Sequence, residues 1–395
     1  MLLDSFSDTV AQRPQPDEIA FMVRIFHTAD VHVGLKFTRG YPEMLQNALV
    51  DERVAVVARM ADLANQEQCQ LLVVAGDLFD HLRVPKKLIR QTAESLKRFN
   101  GVVAVLPGNH DYKSEADDPI WPEFKDHLGE GHIILDQCIP YDLESLGLPV
   151  VLLPGVCTAK HSKENAVGWI KEATPQLPQD RLKIGVAHGS LGGLSPDFNG
   201  DYYPMQQSEL TQMDVDAWLL GHTHIRFPDR DEGRDARVFY PSTPEPDGFD
   251  CSHAGHALVI DLHDDGTCQY RSVRTGRFRF HAIQTSGIDS ESKLAELKKQ
   301  FEELPKGEHL VKLKLAGRLD SEALEQLKTL KSEIDQIVSY LEFNADEVLR
   351  AVRQADLDAE FTEGSFPHQL LSELAQNEED QFALQMAYDL VQEAR

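Results

Sequence analysis

Short, largely apolar runs recur along the first 280 residues, each ending at a polar or glycine-bearing segment. They lie at about Met22–Asp30, Gln70–Ala75, Val102–Leu106, Pro149–Leu153, Leu182–Ala187 and Val215–Leu220. Runs of this length without alternation fit strands covered on both faces. Between the early ones the period changes. Leu45, Leu49, Val56, Met60 and Leu63 recur at roughly helical spacing and predict a helix over about Pro42–Glu67. A second helix is expected over Pro85–Phe99, with proline at its first turn. Later, Arg237–Tyr240, His256–Leu262 and Gln269–Val273 read as strands, with turn chemistry at Asp264-Asp265-Gly266. Helices alternating with strands early and hairpin-like strands late predict an α/β fold of two packed mixed β-sheets flanked by helices.

Past about Ala282 the pattern changes. Lys293–Leu304 reads as a charged amphipathic helix and His309–Leu315 as an alternating strand; Ser321–Lys331 is helical and Ile337–Phe343 strand-like. These predict a small α/β unit over 282–344. Residues 345–395 are acidic and carry apolar positions at helical spacing, among them Val348, Val352, Leu371, Phe382, Leu384, Met386 and Leu390. Short helices of this kind need an apolar surface to bury against. Residues 1–21, rich in prolines and acids, are expected to be a disordered extension, which leaves 22–281 as the principal domain.

Length allows two or three domains, and the 42% hydrophobic fraction is that of an ordinary globular protein. No apolar run approaches the ~20 residues needed to span a bilayer, and the N-terminus lacks the apolar core of a secretory signal. The five cysteines are scattered, with no Cys-x-x-Cys pair, so a reducing cytoplasm is the expected location. The net charge of −26 argues against a broad basic DNA-binding surface, while leaving room for phosphate binding through metal ions or a partner's basic surface.

Five motifs lie in order at the ends of the apolar runs: Asp30-Val-His32, Gly76-Asp77-Leu-Phe-Asp80, Gly108-Asn109-His110-Asp111, His188, and Gly221-His222-Thr-His224. Asp30 and His32 are two residues apart, so both can face one ion at a strand end. Asp77 follows a tight glycine and has two oxygens with which to bridge two metals. Asn109 offers an amide oxygen that adds no negative charge, and His188, His222 and His224 supply imidazole nitrogen, which suits manganese, iron or zinc better than calcium. Each residue alone is an ordinary polar loop residue; the ordered set supplies every ligand of a two-metal site able to clamp a phosphodiester and ionise a water.

With these residues in view, the chain resembles the calcineurin-like metallophosphoesterases over about Val23–Phe280. Within them it is similar to the SbcD-type DNA repair nucleases, through His27-Thr-Ala-Asp-Val-His-Val-Gly34, Ala75-Gly-Asp-Leu-Phe-Asp80, Tyr202-Tyr-Pro204 and Tyr240-Pro-Ser-Thr-Pro-Glu245. The resemblance implies one metal held by Asp30, His32, Asp77 and His224, and another by Asp77, Asn109, His188 and His222. It implies His110 as the catalytic residue facing the phosphate, with the Asp80 carboxylate orienting it. It also implies two divalent ions, most often Mn2+; DNA as substrate; a DNA-capping role for 282–344; and an SbcC-like coiled-coil ATPase docking on 345–395. A homodimer through the two early helices is implied as well. Ser242 departs from the glycine that related nucleases usually carry there. A small-substrate phosphodiesterase and a non-catalytic scaffold of the same fold are the competing readings, and retention of every ligand and of His110 argues against the scaffold.

Overall fold

The computed structural model describes residues 21–38, 40–114, 118–195, 197–251, 253–305, 308–377 and 380–394. The expected extension over residues 1–21 lies, apart from Phe21, outside them. The described chain divides into two compact units, one running through Glu245 and including Gly255–Gly276, the other formed by Pro246–Ala254 and the chain from Arg277 onward.

In the first unit, β1 (Met22–Thr28), β2 (Leu71–Ala75), β3 (Val102–Leu106) and β4 (Ile133–Ile134) run parallel. The chain then builds a second sheet from β5 (Tyr141–Asp142), β6 (Val150–Gly155), β7 (Leu182–His188), β8 (Ala217–Gly221) and β9 (Arg226–Phe227). It returns to the first sheet with β10 (Glu232–Arg234), adds β11 (Val238–Pro241) to the second, and closes the first with the hairpin β12 (His256–His263) and β13 (Cys268–Arg274). The orders are β10-β13-β12-β1-β2-β3-β4 and β5-β6-β7-β8-β11-β9, and both sheets are mixed.

The apolar runs have a direct physical cause. Alternate side chains of one strand enter two different cores. In β2, Leu71, Val73 and Ala75 face the layer between the sheets, whereas Leu72 and Val74 face helices α1 (Glu43–Gln66), α2 (Lys86–Leu96) and α3 (Trp121–Leu128). β8 does the same on the other side: Ala217 and Leu219 join the inter-sheet layer, and Trp218 and Leu220 face α4 (Ile170–Ala173) and α5 (Gln207–Gln212). Each such side chain contributes about 1.5–3 kcal/mol on burial, so neither face of these strands tolerates a polar residue. Trp121 and Trp218 are among the largest fully buried side chains, which makes them core residues.

The second unit is a parallel three-stranded sheet, β14 (Phe278–Ile288), β15 (Glu308–Leu319) and β16 (Tyr340–Arg350), connected through α6 (Glu291–Glu302) and α7 (Ser321–Ile337). Three helices follow, α8 (Gln354–Glu360), α9 (Phe366–Ala375) and α10 (Gln381–Glu393). Two expected boundaries move. Residue 282 lies inside β14 and residue 345 inside β16. The apolar pattern hid this because only one face of the sheet is covered. Leu341, Phe343, Ala345 and Val348 pack toward α6 and α7, while the intervening Glu342, Asn344, Asp346 and Glu347 are exposed and read as loop or helix surface. Lys312 and Lys314 of the same sheet pair with Glu342 (3.2 Å) and Glu347 (2.5 Å). No helix among the described residues is long and apolar enough to cross a membrane.

Candidate metal centre

All seven expected ligands sit at or just past the C-terminal ends of β1, β2, β3, β7 and β8, and the strand ends are locked together by backbone hydrogen bonds. Asp30 N–H donates to Gly76 O (3.1 Å), His32 N–H to Asp77 O (3.0 Å), Val33 N–H to Leu78 O (2.9 Å), and Asp80 N–H returns to Val33 O (3.0 Å). Asp30, His32, Asp77 and His222 have φ of 55, 53, 52 and 103°, a region that non-glycine residues seldom occupy. Surrounding bonds must hold this strain; His222 N–H, for example, donates to both Asp30 oxygens at 3.0 and 3.1 Å. The loops also need space. A Cβ on Gly108 would stand 2.2 Å from Asp77 Oδ1, and one on Gly76 2.1 Å from His188 Nδ1, so only glycine admits the ligand side chains there.

Three groups converge closely enough to share an ion: Asp30, His32 and His224; Asp30, Asp77 and His188; and His32, Asp77 and His110. His32 Nε2 and His224 Nε2 lie 3.3 Å apart, and Asp30 Oδ1 is 3.9 Å from His224 Nε2. On the other side, Asn109 Oδ1 is 2.9 Å from His188 Nε2 and 3.1 Å from His222 Nδ1, and Asp77 Oδ2 is 3.2 Å from His188 Nε2. His188 Nδ1 donates to Ala75 O at 2.9 Å, which turns Nε2 toward the two oxygens. Imidazole nitrogen, amide oxygen and carboxylate oxygen thus meet in a buried space where all are acceptors unless a proton or a cation lies between them. This donor set fits divalent transition-metal ions.

The electrostatics point the same way. Burial alone would depress the His188 imidazole, yet the Asp77 and Asp30 carboxylates hold it up at about 9. Asp77 stays well below the usual carboxylate range, the histidines around it outweighing the effect of burial. Burial raises Asp30, partly offset by His224 and His188, and burial together with Asp77 pushes Asp111 up to about 8. His222, buried beside His188, falls to about 3. Positive charge is thus favoured at His188, beside Asp77 and Asp30, and disfavoured at His222.

The expected partnership of Asp80 is corrected. His110 Nδ1 lies 2.9 Å from the backbone carbonyl oxygen of Asp80, whereas the Asp80 carboxylate lies 3.4 Å from His32 Nδ1. The backbone turn after Phe79 presents the carbonyl to His110 and swings the side chain toward the first motif. His110 is half-buried, and its backbone N–H donates to Asp77 Oδ1 at 2.8 Å. His27 belongs to none of the three groups; burial lowers it to about 3.

The contacts of two residues inside the quoted motifs escaped the sequence reading. The Asp111 carboxylate accepts from Gly108 N–H (2.6 Å) and Phe79 N–H (2.9 Å), bracing the loops after β3 and β2 against each other. Its place directly after Gly-Asn-His was the available signal. Tyr202 lies against His222, ring centroids 4.8 Å apart, and against His161 at 5.0 Å; no periodic pattern could have located that pairing. Ser242, buried with φ 71°, occupies a conformation in which glycine would sit without strain.

Residues 23–226 match the calcineurin-like phosphoesterase family. The chain is similar to a protein of Bacillus subtilis (strain 168) described as uncharacterized metallophosphoesterase YhaO, 28% identical over 209 residues, covering 51% of this chain and 48% of that protein. It is also similar to the DNA double-strand break repair protein Mre11 of Methanopyrus kandleri, 25% identical over 237 residues, covering 57% of this chain and 49% of the other. The chain therefore spans about half the length of these relatives. Among solved structures, TT1561 of Thermus thermophilus aligns with a TM-score of 0.41 and 9% identity, over 65% of this chain and all of that one.

Proposed function

Because the chain belongs to the calcineurin-like phosphoesterase family, we propose that it is a two-metal phosphodiesterase acting on DNA, hydrolysing phosphodiester bonds at ends or in single strands. Asp30, His32, Asp77 and His224 would hold one ion, and Asp77, Asn109, His188 and His222 the other, with Mn2+ as the expected metal. When bound, such a pair polarises phosphoryl oxygens and lowers the pKa of a water at neutral pH. The chain's own residues do the rest. Asp77, whose Oδ2 lies 3.2 Å from His188 Nε2 and 3.8 Å from His32 Nε2, would serve both positions, and the segments after β1, β2, β3, β7 and β8 fix the ligand spacing. His110, half-exposed at the rim with Nδ1 anchored on Asp80 O, turns its other nitrogen to the substrate to stabilise charge or protonate the leaving oxygen.

The observation that carries this reading is the convergence of seven acceptor-bearing side chains around buried like charges. The DNA substrate draws its support from the similarity to a DNA double-strand break repair protein and from the SbcD-type motifs. A small-substrate phosphodiesterase is favoured by one observation, the net charge of −26, which discourages polyanion binding unless a partner supplies basic surface. The SbcC-like coiled-coil ATPase would be that partner. A homodimer would have to form without the apolar stripes of α1 and α2, since Leu49, Val56, Met60, Ile89, Ala93 and Leu96 are buried. Incubating Mn2+-loaded protein with end-labelled DNA and with a chromogenic phosphodiester separates the readings. Cleavage of the chromogenic ester alone rejects the DNA assignment; cleavage of neither rejects the enzyme.

A further inference from the structure

We propose that Arg53, outside every ligand motif, is a positioning residue for one of the two metal positions, that formed by Asp30, His32 and His224. The inference rests on the two-metal reading above and says which half of the pair depends on a residue in α1.

Arg53 shares a helix face with Leu49, Val56 and Met60, and its exposure is 0%. An arginine in such a place is costly unless its donors are used. Its Nη1 donates to Val31 O (3.3 Å) and to Glu245 O (2.9 Å), and its guanidinium lies 5.6 Å from the centre of the Phe37 ring. The carboxylates of Glu52 and Glu245 are buried as well, and both pair with Arg59.

The two carbonyls matter for what adjoins them. Val31 is the residue between Asp30 and His32. Glu245 ends the segment that begins at Pro241 and includes Ser242, whose Oγ donates to His224 O at 3.2 Å. One nitrogen, Arg53 Nη1, thus fastens the backbone that aims His32 to the segment that supports His224, and those two imidazoles meet at 3.3 Å. The other metal position takes its geometry from bonds of its own, including His188 Nδ1 to Ala75 O at 2.9 Å. A lysine at 53 would keep a positive charge, but its side chain ends one bond short of the position from which Nη1 reaches both carbonyls.

Mn2+ titration followed by electron paramagnetic resonance, with bound metal counted after desalting, tests this on the full chain without reference to turnover. Wild type should bind two ions and show the spectrum of a coupled pair. Arg53→Lys should keep one ion at wild-type affinity and weaken the other by about ten-fold or more, the scale at which outer partners of metal ligands act, so that the coupled signal fades while a mononuclear one persists. Ser242→Ala, which leaves Arg53 in place, should show a smaller loss of the same kind, and it carries the test if Arg53→Lys does not fold. Arg59→Lys, in the same ion cluster but bonded to Thr275 O, should bind both ions normally. Two ions at wild-type affinity in Arg53→Lys and Ser242→Ala, equal weakening of both positions, or the same loss in Arg59→Lys would overturn the proposal. Wild type binding fewer than two ions would instead reject the two-metal reading itself.

Discussion

The metal centre of the first unit and the three helices that end the second depart from ordinary protein construction in opposite directions. At the strand ends of the first unit, carboxylates and imidazoles are buried side by side on strained backbone: Asp30, Asp77, Asn109 and His188 are all buried, and four ligand residues have positive φ. In α10 of the second unit hydrocarbon is left in water, with Phe382 68% and Leu390 60% exposed. Neither arrangement favours the isolated chain. Buried like charges weaken a fold unless something compensates them, and an uncovered apolar patch marks a surface that meets something else. The ions proposed above would compensate the first feature, and the proposed partner would cover the second. The two should therefore respond differently to substitution.

The sharpest break falls on the first region. Asp77→Ala should abolish phosphodiester hydrolysis and strip both ions, because Asp77 reaches His188 Nε2 at 3.2 Å and His32 Nε2 at 3.8 Å. The fold should persist, since the carboxylate adds repulsion toward Asp30 and Asp111. Metal counting and circular dichroism check both halves, and an Asp77→Ala protein that still binds two ions would remove it from the bridging role. Next in size, His110→Ala should retain both ions and lose roughly 10²–10⁴-fold in turnover, the range of a general acid or charge-stabilising group. Full activity in that variant would mean that another residue faces the leaving oxygen.

The same contrast explains what could be read from sequence. The strands of the first unit are covered on both faces, so their apolar runs stood out, and the ligands follow directly because catalytic loops start where buried strands stop. Asp80 was harder. Its position is local in sequence, but the choice between His110 and His32 as its carboxylate's partner depends on a turn geometry that no spacing rule encodes. Arg53 was present at helical spacing among apolar residues, a signal that a buried guanidinium needs fixed acceptors, yet those acceptors lie 22 and 192 residues away. In the second unit, the start of β16 read as strand, but its one-sided second half mixes acids with apolar residues and passed for helix, which shifted the expected boundary.

A smaller effect sharpens the description of the metal centre. With the Asp80 carboxylate 3.4 Å from His32 Nδ1, Asp80→Ala should remove an anion that steadies a ligand ring and lower metal affinity by about 10–100-fold, as expected for carboxylates behind ligating histidines. Turnover at saturating Mn2+ should fall much less than in His110→Ala. If Asp80→Ala instead matches His110→Ala in turnover while metal affinity is untouched, the carboxylate serves His110 in solution.

The smallest expected effect tests the second region, and one helix supplies both the variant and its control. Leu384 is 1% exposed and joins Val352, Leu357, Phe361 and Leu371 in a core formed by the C-terminal helices. Phe382, two residues away, is on the open side with Met386 and Leu390, beside Arg318. Leu384→Ala should cost about 2–5 kcal/mol within these helices through lost burial and a cavity. Phe382→Asp should stay within about 0.5 kcal/mol, because the side chain is already hydrated. Metal content and cleavage of short single strands should be unchanged in Phe382→Asp. If the open stripe is the seat of a coiled-coil ATPase, the added charge should abolish association in a pull-down with the cognate ATPase. Deletion of residues 351–395, cut after β16 so that the parallel sheet stays whole, should abolish it too. Full-strength association by both variants would place the partner elsewhere. A loss of stability in Phe382→Asp as large as in Leu384→Ala would show that the stripe is covered within the chain itself, and the contrast between the two regions would collapse.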